Sequence, residues 1–313
     1  MSHSAPQPVM LRLGTRQSPL AMAQAVEARE RLCAAHGWAE DAVELVSVLA
    51  SGDKVQDRPL ADIGGKALWT KELDQWLLEG RIDAAVHSMK DVETLRPANF
   101  AIAAVLPRAD RRDVLVGAPS IEAIPKGARV GTSAPRRAAQ ILGLRPDCSI
   151  VSFRGNVATR LARLERGEAD VTFLAAAGLE RLGVASVGTP LETDQWLPAA
   201  AQGAIGIECL ADNAKVLALL APVNDPASMA EVRADRALLA GLGGTCHSPV
   251  AVLSLCKADR IAMKAALFSE DGAEMVTGEA EFACGDDAPP HRLARDLLAR
   301  AVPAIARHFQ AAE

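Results

Sequence analysis

Seven arginines crowd between Gly131 and Arg166 of a chain whose formal net charge is -5. The stretch reads GTSAPRRAAQILGLRPDCSIVSFRGNVATRLARLER. Arg136 and Arg137 follow Gly131-Thr132-Ser133, Arg154 precedes Gly155-Asn156, and Arg160 lies one helical turn beyond Asn156. Arginine presents a planar fork of donors that meets a carboxylate or phosphate at two points. These four fall where a strand should hand over to a helix, and the unpaired N–H groups of a helix start also favour an anion. Arg163 and Arg166 read instead as a solvated basic helix face. Lys90 and Asp91 close the run His87-Ser88-Met89-Lys90-Asp91, which is either a surface salt bridge or a charged pair aimed into a cleft. Cys246 sits in the turn Gly243-Gly244-Thr245-Cys246-His247-Ser248-Pro249 rather than in an apolar run. A turn thiol becomes reactive when nearby positive charge lowers its pKa; the alternative is an incidental surface thiol. His247 is adjacent in sequence and need not face it, so no Cys-His dyad is read.

Composition narrows the anion. Aromatic residues make up 3%, there is no Tyr, and the pI is about 5.8. That argues against base stacking on aromatic rings and against binding along a phosphate backbone, so no nucleic-acid partner is expected. The six cysteines form no CxxC pair and the six histidines show no ligand spacing, so no metal site is expected. No apolar run follows a basic segment at the start of the chain, and no window approaches a membrane span. The expectation is a cytoplasmic protein with free thiols and no membrane partner. The arginines then serve a small anionic ligand.

The elements that must position these residues read as α/β. Met10 to Gly14 alternates like a strand, Ser18 caps a helix with Pro19 at its first position, and Gly37 stops it. Arg16 lies in the mouth of that helix. Val43 to Ala50 is a second strand, Leu68 to Gly80 an amphipathic helix, Asp83 to Val86 a short strand that delivers Lys90 and Asp91, and Ala101 to Leu106 another strand. Residues 51–66 form a long polar loop, either a mobile lid or simply exposed. Pro107 to Arg112 is a charged break that suits a domain crossing. Beyond it, RVGTSAPRRAAQ (129–140) echoes RLGTRQSPLAMAQ (12–24), which suggests two similar α/β domains, each presenting a helix start to a shared cleft. A small-residue strand at 203–208 suggests a return to the first domain. A helix over 225–242, three antiparallel strands and a last helix from Pro290 towards Phe309 make a small α+β domain. The expected division is 1–107 with 203–221, then 108–202, then 222–313.

Eight segments carry a resemblance across nearly the whole chain. GTRQSPLA, GGKALWTKELD, HSMKD, GTSAPRR, RGNVATRL, AAAGLERLG, QGAIGIE and GGTCHSPVA occur in this order between Gly14 and Ala251. Together they resemble hydroxymethylbilane synthase, the porphobilinogen deaminase family. The resemblance implies three domains, the first two like type II periplasmic binding proteins. It implies a transferase of heme and porphyrin biosynthesis that joins four porphobilinogen molecules head to tail, releasing ammonia, into a linear tetrapyrrole. It also implies a dipyrromethane cofactor thioether-linked to Cys246, with Asp91 as the catalytic carboxylate. Lys90, Ser88, Thr132, Arg136 and Arg137 match cofactor-binding positions. Arg16, Arg154 and Arg160 match catalytic positions near the incoming substrate and growing chain, and Ser18, Lys66 and Gln202 match substrate-binding ones. The resemblance further implies a monomer that hands its product to uroporphyrinogen-III synthase. Ala134 stands where the family often has a second serine, Thr245 where it has glycine, and Glu93 where it has proline.

Two other readings use the same residues. A non-catalytic anion-binding protein on a two-domain scaffold explains the helix mouths and the arginines, but not Cys246 or the third domain. A cysteine acyl-transfer enzyme lacks a convincing base near Cys246.

Overall fold

The computed structural model describes residues 8–48, 70–244 and 248–309. Strand β1 (Leu11–Arg16) leads into helix α1 (Pro19–His36). The Ser18 side chain accepts from the N–H of Ala21, Pro19 occupies the first turn, and Gly37 ends the helix at φ 67. Strand β2 (Val43–Val48), helix α2 (Lys71–Leu78) and strands β3 (Ala84–Ser88) and β4 (Phe100–Val105) follow. The chain then crosses to β5 (Asp113–Val116), β6 (Arg129–Gly131), α3 (Pro135–Leu144), β7 (Ser149–Val151), α4 (Val157–Glu165), β8 (Val171–Ala175), α5 (Ala176–Arg181) and β9 (Thr189–Pro190). It returns as β10 (Ile205–Leu210) and α6 (Ala214–Leu220). The last part holds α7 (Pro226–Leu242), strands β11 (Val250–Lys257), β12 (Arg260–Phe268) and β13 (Met275–Ala283), and helices α8 (Ala288–Arg300) and α9 (Pro303–Ala306).

Among the described residues the strands form two five-stranded sheets, β2-β1-β3-β10-β4 and β7-β6-β8-β5-β9, and one three-stranded antiparallel sheet, β11-β12-β13. The two larger sheets are one pattern. β1 is parallel to β2 and β3 as β6 is to β7 and β8. In each sheet the antiparallel strand beside the third is the one reached by crossing from the other domain, β10 in the first and β5 in the second. β3, β5 and β8 are almost wholly buried and mostly apolar, as suits strands covered on both faces, with His87 and Asp113 as ionisable exceptions.

The short echo between 12–24 and 129–140 marks this equivalence. Arg12, second in β1, grips Asp83, just before β3: its backbone N–H and Nε meet Oδ2 at 2.8 and 3.1 Å, and Nη2 meets Oδ1 at 2.8 Å. Arg129 opens β6 and grips Asp170, just before β8, through the same three donors at 2.7, 3.3 and 2.9 Å. Gly14 and Gly131 are equivalent too, and packing explains both. A Cβ on Gly14 would lie 2.3 Å from Ile82, and one on Gly131 would lie 2.6 Å from the Phe153 ring.

The small third domain closes over α7 and α8 around Leu238, Leu242, Val252, Leu267 and Leu297. It docks on α3 through Ala139, Ala251, Ala266 and Phe268, all buried. Backbones touch there: a Cβ on Gly143 of α3 would lie 2.7 Å from the Gly272 carbonyl. One expectation is corrected. The last helix is two, because Val302 is extended (ψ 160) ahead of Pro303, whose ring disfavours helical backbone in the residue before it. The loop at 51–66 lies outside the described residues.

Candidate active site

The elements deliver their chemistry to one cleft between the two larger domains. β3 ends at Ser88 and turns through a single 3-10 turn, Met89–Asp91, so Lys90 and Asp91 stand at the carboxyl edge of the first sheet. Met89 is the buried anchor of that turn. Arg16, Ser18, Ser88 and Asp91 line one pocket, with His87 and Thr70 also in its wall. His87 is buried against Glu208, Nε2 to Oε2 at 3.3 Å. Burial pushes Glu208 up, but His87 and the paired guanidinium of Arg96 outweigh it and hold the carboxyl at about 2.

The second domain supplies the cations. Thr132 follows β6, and its Oγ1 accepts the Ala134 N–H at 3.2 Å. Ala134 is the N-cap of α3 and provides no side-chain cap, so Thr132 serves part of that role. Arg136 and Arg137 occupy the first turn of α3 and are buried. Both reach Asp113: Arg136 Nη2 to Oδ2 at 2.8 Å, Arg137 Nη2 to Oδ1 at 2.7 Å, and Arg137 Nε to Oδ2 at 3.3 Å. Each also donates to a carbonyl, Arg136 to that of Leu197 and Arg137 to that of Phe173. Asn156 caps α4 by accepting the Thr159 N–H at 2.9 Å, and Arg160 curls back so that its Nε donates to the Gly155 carbonyl at 3.0 Å. Arg154 lies between β7 and α4, half-buried. Arg163 and Arg166 pair with Glu168, as a structural basic face would.

The two walls share one electrostatic field. Burial pulls the Lys90 ammonium down to about 8; Arg137 and Arg136 push the same way, and Asp91 and Asp113 oppose them. Burial likewise brings Arg160 down to about 10, with Arg137 and Arg154 adding and Asp91 opposing. Arg136 falls below its ordinary value for the same reasons, despite Asp113. So Lys90, Arg136, Arg137 and Arg160 crowd against two acids, Asp91 and Asp113. An arriving carboxylate would relieve that repulsion.

Sequence reasoning missed Asp113 and Trp196. Asp113 is fully buried and takes donors from Arg136, Arg137, Trp196 Nε1 at 2.8 Å and Gln202 Nε2 at 2.9 Å. Burial raises it, but the two arginines overcome that and hold it far below the usual carboxylate range. The available signal was an acid opening the apolar run Val114 to Val116 straight after a charged break. Gln202, expected on the substrate, is fully buried with its amide N–H groups committed to Arg111 O and Asp113. It meets Arg136 and Arg137 through Asp113. Cys246 and Lys66 lie outside the described residues.

Two family models cover this chain. One is the porphobilinogen deaminase dipyromethane cofactor binding domain, matched over residues 11–218, and the other the porphobilinogen deaminase C-terminal domain, matched over 229–297. The chain belongs to the porphobilinogen deaminase family. Porphobilinogen deaminase of Sphingopyxis alaskensis is 55% identical over 305 residues, covering 96% of each chain. Porphobilinogen deaminase of Paracoccus denitrificans is 48% identical over 295 residues, 93% of this chain and 94% of its own. Among solved structures, the VFT2 domain of Bordetella pertussis BvgS aligns with 68% of this chain and 85% of its own at 14% identity and a TM-score of 0.40. The family's cofactor carries carboxylates, and the donor set fits such a group. Lys90, Arg136, Arg137 and Arg160 outnumber Asp91 and Asp113, and Asp113 fixes the two buried arginines, Arg136 and Arg137.

Proposed function

We propose that this porphobilinogen deaminase family member joins four porphobilinogen molecules head to tail, releasing ammonia, on a dipyrromethane held by a thioether at Cys246. The observation that carries the reading is the shared cleft. Lys90 and Asp91 of one domain feel the same field as Arg136, Arg137 and Arg160 of the other. When bound, the cofactor supplies the pyrrole carbon to which the first substrate is joined.

The residues divide the work by charge. Lys90, Arg136 and Arg137, with Ser88 and Thr132, hold the carboxylates of the fixed end, and Arg16, Ser18, Arg154 and Arg160 meet those of the newer rings. Each charge-assisted hydrogen bond to a carboxylate contributes about 1.5–3 kcal/mol net. Ammonia leaves the incoming pyrrole and a cation remains on its methylene carbon. The Asp91 carboxylate faces that cation and stabilises it, then takes the proton that coupling releases from the attacked ring carbon. Gln202 acts through Asp113. Lys66 adds a further cation from the 51–66 segment. The reading includes a monomer working in the cytoplasm, divided at 1–107 with 203–221, 108–202 and 222–313. The product then passes to uroporphyrinogen-III synthase.

Intact mass tests the reading directly. Purified protein should exceed its sequence mass by one dipyrrole and colour with an aldehyde reagent for pyrroles, and Cys246→Ser should do neither and be inactive. An unmodified, fully active wild type would overturn it.

A further inference from the structure

Cys256 lies next to the end of β11 and Cys284 directly follows β13, and their sulfurs stand 3.1 Å apart. Both are free thiols and half-buried, within reach of a small oxidant. Strand order alone keeps them apart, since β12 lies between β11 and β13. The turn end of the sheet brings them together. β11 and β12 are joined by a two-residue turn with Ala258 at φ 45 and Asp259 at φ 63, and the Cys284 N–H donates to the Asp259 carbonyl at 2.8 Å. That bond folds the segment after β13 over the turn and lays Cys284 against Cys256. A disulfide has its sulfurs about 2.05 Å apart, so closure needs an approach of about 1 Å. Neither cysteine is central in a ladder: one is next to a turn and the other lies in the link to α8.

The pair also borders the domain crossing. The Cys256 N–H donates to Glu231 Oε1 at 2.9 Å, and Glu231 Oε2 takes Arg108 and Arg111 at 3.1 Å each. These arginines lie on the segment that carries the chain from the first sheet to the second.

We propose that Cys256 and Cys284 form a modification site, a dithiol that closes to an intramolecular disulfide under mild oxidation and staples the third domain behind the crossing. Glutathione disulfide is the oxidant class. One protein thiolate attacks it, forming a mixed disulfide and releasing one glutathione. The second protein thiolate then attacks the mixed disulfide and releases the other. Two protein S–H bonds are lost and one S–S bond forms, while two electrons and two protons end on two glutathione thiols. Burial, then the Cys284 thiol, push Cys256 up to about 11, which suits Cys256 to the second, intramolecular attack. The bond would close a loop between residues 28 apart.

The test exposes reduced, full-length protein carrying its cofactor to glutathione disulfide, followed by acid quenching, alkylation and mass spectrometry. A two-enzyme digest separates Cys256 from Cys246. Wild type should lose the mass of two hydrogen atoms, yield a Cys256–Cys284 linked peptide, and recover both thiols with a dithiol reductant. Its unfolding midpoint should rise by roughly 5 °C on closure. Cys256→Ser should instead carry one glutathione at Cys284 and show no such rise. Full alkylation of both cysteines in treated wild type overturns the proposal, and so does a linkage to Cys33, Cys148 or Cys209. Closure with an unchanged midpoint overturns the stapling role.

Discussion

Asp113 receives side-chain donors from Arg136, Arg137, Trp196 and Gln202 while fully buried. Its neighbours are two buried guanidiniums, which the carboxylate fixes as a preformed anion site. Asp113→Asn keeps the volume and removes the charge. It should destabilise the fold by about 3–5 kcal/mol, the usual cost of breaking a buried pair. Urea denaturation reads that loss, and the variant should also retain less cofactor by intact mass. Asp91→Asn differs because in the proposed mechanism Asp91 meets the reacting groups: the cofactor mass should persist while turnover falls at least about 100-fold. Lys90 makes a pH prediction. Its pKa is about 8 in the fold against 10.5 ordinarily, so the unfolded chain binds more protons between those values. Its contribution to stability therefore rises with pH through that window. In the cofactor-free Cys246→Ser protein, Lys90→Met should raise stability at pH 7, and the gain should shrink as pH climbs from 8 to 10. The cleft's cations were legible because arginine pairs at strand–helix junctions have a mechanism. Asp113 was not, since its partners lie 23 to 89 residues away and nothing local distinguishes it.

At the scale of elements, the Ser18 cap was legible because its cause is local: its side chain accepts the N–H three residues on, as those of Asn156 and Asp225 also do. The echo of 12–24 in 129–140 proved to be equivalence of β1–α1 with β6–α3, down to matching Arg–Asp grips. Strand order was not legible, because which strand pairs with β3 depends on a segment that arrives after the whole second domain, at β10. The β11–β12 turn was also unread. Ala258 and Asp259 both have positive φ, as a type I′ turn requires, yet alanine has no side chain to favour that conformation. Ala258→Asn should stabilise the protein by about 0.5–1 kcal/mol. Thermal unfolding checks this, and no gain would mean that the turn carries no strain worth relieving.

At the scale of the whole molecule, two crossings join the larger domains, and helix α7 of the third domain grips both. Arg108 on the first crossing donates to Glu231 and Asp235 at 3.1 Å each, and to the Gln202 carbonyl at 2.9 Å. On the second crossing the Ala201 N–H donates to Asp235 Oδ2 at 2.8 Å, with Ala201 itself at φ 55. The crossings also touch directly: a Cβ on Gly203, at φ 87, would lie 2.6 Å from the Ala109 carbonyl. Asp235 is the centre of this clamp, fully buried and bonded by Ser254 Oγ at 2.5 Å. Burial raises its pKa above 3.8, and Arg108 is the largest opposing influence. A carboxyl raised in the fold binds more protons there than in the unfolded chain, so its contribution to stability falls as pH rises through the window above 3.8. Removing Arg108 should push that window upward. Arg108→Met should then cost about 3–5 kcal/mol at pH 7, and the difference from wild type should narrow as pH is lowered towards 5. Adding Asp235→Asn should recover part of the loss, because the uncompensated charge goes with it, while Glu231 keeps Arg111 at 3.1 Å. Urea titrations of the four proteins across pH 5 to 8 measure the coupling. Additive losses in the double variant would show that Arg108 holds the crossing by packing and by its bond to Gln202, not by charge.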